Sequence, residues 1–228
     1  MELREHVGKK LENHRVLEGG CYHKGCYFMI FGNMKYKTSV IVKFKAGREK
    51  RVLKVSDVLR IGHGNDCCVR DGVLYITHSG KSNAIHRVDV DSLKKLPDVT
   101  VTGCRGGFNG ICCMGEGYLV KKMSSSKVFV LDSRFRYLST ITLSAVMKVG
   151  QGMTWYKGKL YRASSQGQSK KNYVCVYDSK GKLLKKLHYN HICEIEDVMI
   201  VNGVIKVSIY RKRGKQRKKH EAFIRKLK

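Results

Sequence analysis

Apolar and polar positions alternate in short runs along the whole chain. YVCVYD (173–178) and KVFVLD (127–132) alternate with a period of two and are rich in β-branched and aromatic residues. That pattern predicts strands, whereas helical repeats would show apolar faces of period 3.6. Five segments share one motif: a small or polar residue, an apolar strand, a turn with Gly, then a second strand. They begin at GGCYHKGCYFMIF (19–31), NDCCVRDGVLYITH (65–78), NGICCMGEGYLVKK (109–122), QGMTWYKGKLYRA (151–163) and EDVMIVNGVIKVSI (196–209). The expected turn glycines, Gly25, Gly72, Gly117, Gly158 and Gly203, recur every 41–47 residues.

Each segment is followed by a polar loop and a third strand: SVIVKF (39–44), AIHRVDV (84–90), KVFVLD, YVCVYD and AFIRKL (222–227). Fourth strands follow Asp-Ser turn signals at 132 and 178, where the Asp side chain bonds its own backbone. Four strands per 41–47 residues is the signature of an all-β, five-bladed β-propeller of four-stranded antiparallel blades. The expected repeats are 19–64, 65–108, 109–150, 151–195 and 196–228. The last stops after its third strand, so residues of about 10–18 are expected to supply the missing outer strand and close the ring, removing its exposed edges. The whole chain then forms one domain. A single Pro suits unbroken sheet ladders.

The blocks GGCY, IVKF, IGHGNDCCVRDGVLYITH, VYDSKGKLLKKL and CEIEDV resemble a group of small five-bladed propellers of Firmicutes. Their hallmark, close to HANDMTYN, is matched at His63, Asn65 and Asp66. The resemblance spans nearly the whole chain and implies the same fold; it brings no activity with it.

In a propeller the first strand of each blade lines the central channel. Aligned on that strand, Gly19, Asn65, Asn109, Gln151 and Glu196 form a column, four of whose five members carry an amide or carboxylate. Core packing does not ask for such polarity. His63, Asp66, Phe108, Trp155, His191, Glu194 and Asp197 fall nearby. The expected funnel for a small polar ligand is His63, Asn65, Asp66, Phe108, Asn109, Gln151, Trp155, His191 and Glu196. Channel amides can equally bond one another and ordered water. A metal-assisted hydrolase or lyase is the catalytic alternative, with Glu194, Glu196 and His63 as candidate catalytic groups. Asn65, Asn109 and Glu196 would then be oxygen ligands for Ca²⁺ or another divalent cation. No G-x-S-x-G, H-E-x-x-H or phosphate-binding glycine loop is present.

Composition narrows the classes further. Among the 228 residues, 46 Lys and Arg face 18 Asp and Glu, a formal net charge of +28, so an anionic macromolecule is a candidate partner. The densest run, at 211–219, contains Arg211, Lys212, Arg213, Lys215, Arg217, Lys218 and Lys219. It is expected in the loop between the second and third strands of the last blade, with Lys170 and Lys171 in the equivalent loop of the fourth. Both loops are expected away from the mouth that carries the polar column. No aromatic residue interrupts the basic run. No apolar stretch is long enough to span a membrane, and no leader-like segment opens the chain, so a cytoplasmic monomer is expected, or a nuclear one in a eukaryote. The nine Cys lack paired CxxC spacing, and neighbours such as Cys67-Cys68 point to opposite faces of a strand, so they are expected as reduced core thiols.

Overall fold

The computed structural model describes all residues except 1–2, 4–6, 8–10, 12, 34, 36, 79, 81, 148, 214–218 and 228. It is a five-bladed β-propeller. Blade one comprises β1 (Val16–His23), β2 (Cys26–Asn33), β3 (Thr38–Lys45) and β4 (Arg48–Val55). Blade two comprises β5 (Gly64–Arg70), β6 (Val73–His78), β7 (Ala84–Asp89) and β8 (Lys95–Thr100). Blade three holds β9 (Gly110–Met114), β10 (Gly117–Lys121), β11 (Lys127–Leu131) and β12 (Tyr137–Thr142). Blade four holds β13 (Gly150–Tyr156), β14 (Lys159–Ser164), β15 (Tyr173–Tyr177) and β16 (Leu183–His188). Blade five holds β17 (Glu194–Val201), β18 (Val204–Arg213) and β19 (Lys219–Lys226).

Every blade is an antiparallel meander, and the first strands of neighbouring blades touch around a closed ring. Two-residue hairpins join first to second strands. In four of them both central residues have positive φ, as at Lys24–Gly25 and Asn202–Gly203. This twist matches that of the flanking strands. The third differs from expectation: Gly115 takes the positive φ there, and Gly117 opens β10 instead.

The core is five clusters, one at each blade interface. In β2 the residues Tyr27, Met29 and Phe31 face blade five, while Phe28 and Ile30 face blade two. A strand packed on both faces must be apolar throughout, which explains the uninterrupted run YFMIF. The same alternation separates the paired cysteines. Cys67 faces blade one and Cys68 blade three. All nine are free thiols.

Closure departs in detail from expectation. Residues 16–18 begin β1 and belong to the first blade, and 13–15 are not in a strand. Leu11 and Leu17 pack against the last blade, residues 10 and 12 lie outside the described residues, and a backbone bond to that blade comes from further upstream. Leu3, fully buried, donates its N–H to Ala222 O of β19 at 2.7 Å and packs with Tyr210 and Ala222. Among the described residues, blade five itself has three paired strands.

Candidate ligand site at the channel mouth

Four of the five inner strands carry a bulge at the same place. Register slips between Leu17 and Gly19, Gly64 and Asp66, Gly150 and Met153, and Ile195 and Asp197. A bulge adds an unpaired residue and re-aims its side chain. The residues so placed are Glu18, Asn65, Gln151 and Glu196; Asn109 occupies the equivalent position just ahead of β9. The true column is therefore Glu18, Asn65, Asn109, Gln151 and Glu196. Gly19 sits one residue further along, level with Asp66, Gly110, Gly152 and Asp197. The signal for Glu18 was present as a recurring pair, an amide or carboxylate followed by Gly or Asp, read one residue out of phase in the first repeat.

The second members of these pairs form the hub. Asp66 and Asp197 are buried and hydrogen-bonded to one another. Asp66 accepts N–H bonds from Cys67 (2.7 Å), Ile111 (2.8 Å) and Met153 (3.1 Å). Asp197 accepts from Gly20 (3.0 Å) and Val198 (2.6 Å). Each of the five inner strands thus gives one N–H to a carboxyl on the axis. Glycine fills the other three positions because the centre has room for two side chains. A Cβ at Gly152 would strike the Asp197 carboxyl, and one at Gly19 the backbone of Asn65. Burial raises both carboxyls, Asp66 to about 6. Beside them Lys121 is fully buried and donates to Asn109 Oδ1 (3.1 Å) and Gly150 O (3.2 Å); burial depresses it to about 7. Asn109 Nδ2 also donates to Gly150 O at 3.0 Å.

One layer outward the environment changes. Glu18, Glu194 and Glu196 cluster at the mouth, and each is raised above the ordinary range. Burial is the main cause in all three, and mutual repulsion adds to it at Glu194 and Glu196. Glu18 Oε2 meets His63 Nε2, whereas its Oε1 is buried with no hydrogen-bond partner. Glu194 accepts from Gln151 Nε2 at 3.1 Å. His63 also lines a cavity of about 420 Å³ between blades one and two, with Gly32, Asn33, Lys37, Gly62, His78 and His86. The His78 and His86 rings lie 4.7 Å apart. His86 Nδ1 contacts Asp98 at 3.0 Å, while His78 Nδ1 is buried and unpartnered.

The structure gathers His63, Asn65, Gln151, Glu194 and Glu196 at this mouth, with Asp66 and Asn109 beneath them. It separates three expected members. Phe108 is buried between blades two and three, edge-on to Phe129. Trp155, at the far end of β13, lines the opposite mouth with Cys21, Cys68 and Cys113 around a void of about 130 Å³. His191 lies outward, between blades four and five, beside Tyr189. Of the expected cation ligands, Asn109 has its oxygen against the Lys121 ammonium. Among the described residues, no three His, Cys, Asp or Glu converge to hold a metal.

The basic loops are also placed differently from expectation. A hairpin returns the chain to the face it started from, so loops between second and third strands share the entry mouth. Tyr210, near the end of β18, pairs with Glu194 at the start of β17. Lys212 N–H donates to Gln168 Oε1 at 2.9 Å, and its charge acts on Glu18 and Glu194. Arg211 is paired with Glu221. Arg213 and Lys219 face each other across β18 and β19. Lys215, Arg217 and Lys218 lie outside the described residues. Lys170 and Lys171 are exposed in the neighbouring loop. An acidic mouth therefore sits beneath a basic rim. Among the described residues, no helix is long and apolar enough to cross a membrane.

No protein-family description and no curated protein matches the sequence. Similarity appears in solved structures. A glutaminyl cyclase of Myxococcus xanthus superposes with a TM-score of 0.69 at 9% identity, over 95% of this chain and 93% of that one. A calcium-binding regucalcin of Agrobacterium tumefaciens strain C58 gives 0.53 at 10% identity, over 86% and 82%. At such identities the likeness concerns the chain path alone, and by that path this protein is a five-bladed β-propeller.

Proposed function

We propose that the protein is a non-catalytic ligand-binding propeller whose entry mouth takes a small polar ligand with an amine, amidine or guanidinium head. The observation that carries this is the buried, unpartnered Oε1 of Glu18, beside two further carboxyls and next to a cavity of about 420 Å³. An unmade hydrogen bond at a buried acceptor costs about 1–3 kcal/mol, and a donor-rich ligand would recover it. A cation bound beside carboxyls raised by burial and repulsion would lower their pKa values, so binding within their titration range would release protons. Affinity should then rise as pH increases through their raised pKa values.

Titration calorimetry with agmatine, arginine and spermidine, in two buffers of different ionisation enthalpy, tests the reading. The expected result is saturable binding with proton release, weakened at least tenfold (about 1.4 kcal/mol) by Glu18→Gln. No saturable heat with any of the three, or unchanged affinity in Glu18→Gln, would overturn it.

A second reading, acid–base catalysis in the same cavity, is favoured by the Glu18–His63 pair. A carboxyl fixing an imidazole beside a cavity is the arrangement a general base requires. It requires turnover that is lost in His63→Gln, and binding alone does not.

A further inference from the structure

A second feature lies outside the mouth, between blades four and five. Here Phe223 of β19 has two guanidiniums against its ring: Arg211 at 4.9 Å and Arg225 at 4.8 Å from the centroid. Tyr189 and His191, from the loop entering blade five, lie with ring centroids 4.6 Å apart and planes inclined by 46°. Together they line a groove of about 160 Å³, edged by the 59%-exposed Ile192. No carboxylate is among its lining residues. Arg211 is paired with Glu221. The exposed Lys170–Lys171 loop is tied alongside, since His188 Nε2 meets Lys170 O at 2.7 Å.

We propose that this groove binds single-stranded nucleic acid, one base stacking on the exposed His191 ring beside Tyr189 while backbone phosphates lie on Arg225 and the Lys170–Lys171 loop. The combination selects the partner. Flat aromatic and guanidinium surfaces offer stacking, which every nucleobase can use and a sulfated polysaccharide cannot. The positive charge supplies the phosphate contacts and the counterion release that accompanies them. The basic run alone, without aromatic residues, carries no such preference. The fold creates one by setting Arg211 beside Tyr189 and His191, 20 and more positions distant in sequence.

The test is binding of a fluorescein-labelled ten-nucleotide oligouridylate at 150 mM salt, with a heparin fragment of matched charge as competitor. Circular dichroism verifies the fold of each variant. His191→Ala removes an exposed ring and should weaken RNA binding about tenfold while leaving heparin affinity within about twofold. Arg225→Gln should flatten the salt dependence by about one unit of slope. Lys159→Gln, an equal loss of charge elsewhere on blade four, should change RNA affinity by less than about twofold. Equal losses for Arg225→Gln and Lys159→Gln would overturn the proposal, leaving unspecific charge. So would RNA binding indifferent to His191→Ala, or no measurable binding at this salt.

Discussion

Two neighbouring layers of acidic residues on the inner strands behave in opposite ways. In the hub, Asp66 and Asp197 accept an N–H from every inner strand and share a hydrogen bond. At the mouth, Glu18, Glu194 and Glu196 repel one another, and one buried oxygen has no partner. Both layers are buried and both are raised in pKa, so neither burial nor titration separates structure from function. Hydrogen-bond satisfaction does. A buried carboxyl with its acceptors filled holds the ring together; one with acceptors empty is available to a ligand.

The largest expected effect is in the hub. Asp66→Ala leaves three buried N–H groups without an acceptor and removes a tie between blades two, three and four. Equilibrium urea unfolding should show a loss of about 3–5 kcal/mol. A loss under 1 kcal/mol would make the hub as dispensable as a surface loop and erase the contrast with the mouth.

The next effect is in the pH profile. A carboxyl raised on folding stabilises the fold at low pH, and that contribution disappears as pH rises through the folded value, for Asp66 about 6. Lys121 runs the other way. Its folded value, about 7, lies below the ordinary lysine range, so stability falls as pH drops from about 10.5 towards 7. The two limbs meet, and stability should pass through a minimum near pH 6–7. Lys121→Met should flatten the alkaline limb and leave the acid limb in place. A profile with its maximum at pH 6–7 would contradict the titrations assigned to both groups.

The blade pattern was legible because each repeat spells a strand–turn–strand motif and propellers pack strands on both faces. The polar column was legible for the same reason, yet its phase slipped in the first repeat. A bulge inserts a residue without a spacing cue, and Gly19-Gly20 resembles the start of a repeat, which hid Glu18. Phe108, Trp155 and His191 looked adjacent to the column in sequence. Phe108, in the loop ahead of β9, is turned into the interface of blades two and three, strand length carries Trp155 to the other mouth, and the blade-four connection holds His191 outward. The face of the basic loops follows from counting strands: two antiparallel strands bring the chain back to its starting face. The aromatic groove was not legible, since Phe223 and Tyr189 meet only through the packing of two blades.

Smaller effects sharpen the distinction at the mouth. Glu196→Gln replaces a carboxyl that burial holds well above the ordinary range with an amide of the same shape. Stability at pH 7 should change by less than about 1 kcal/mol, in contrast with Asp66→Ala, while amine affinity falls. Loss of several kcal/mol by urea unfolding would show Glu196 to be part of the hub.

Chelation should have the smallest effect of all. The divalent site expected from the sequence uses Asn109 as an oxygen ligand, but that oxygen faces the Lys121 ammonium 3.1 Å away. Filling such a site would require the lysine to lose its partner or its proton inside the fold. Burial raises the pKa values of the remaining acids, which disfavours the ionised form in which carboxylates coordinate hard cations. EDTA should therefore leave the melting temperature unchanged at pH 7, and millimolar Ca²⁺ should raise it by no more than about a degree. A saturable rise with Ca²⁺, abolished in Glu196→Gln, would mean that the mouth carboxyls ionise together around a metal, and the unpartnered oxygen of Glu18 would then belong to a cation site instead of a ligand's amine.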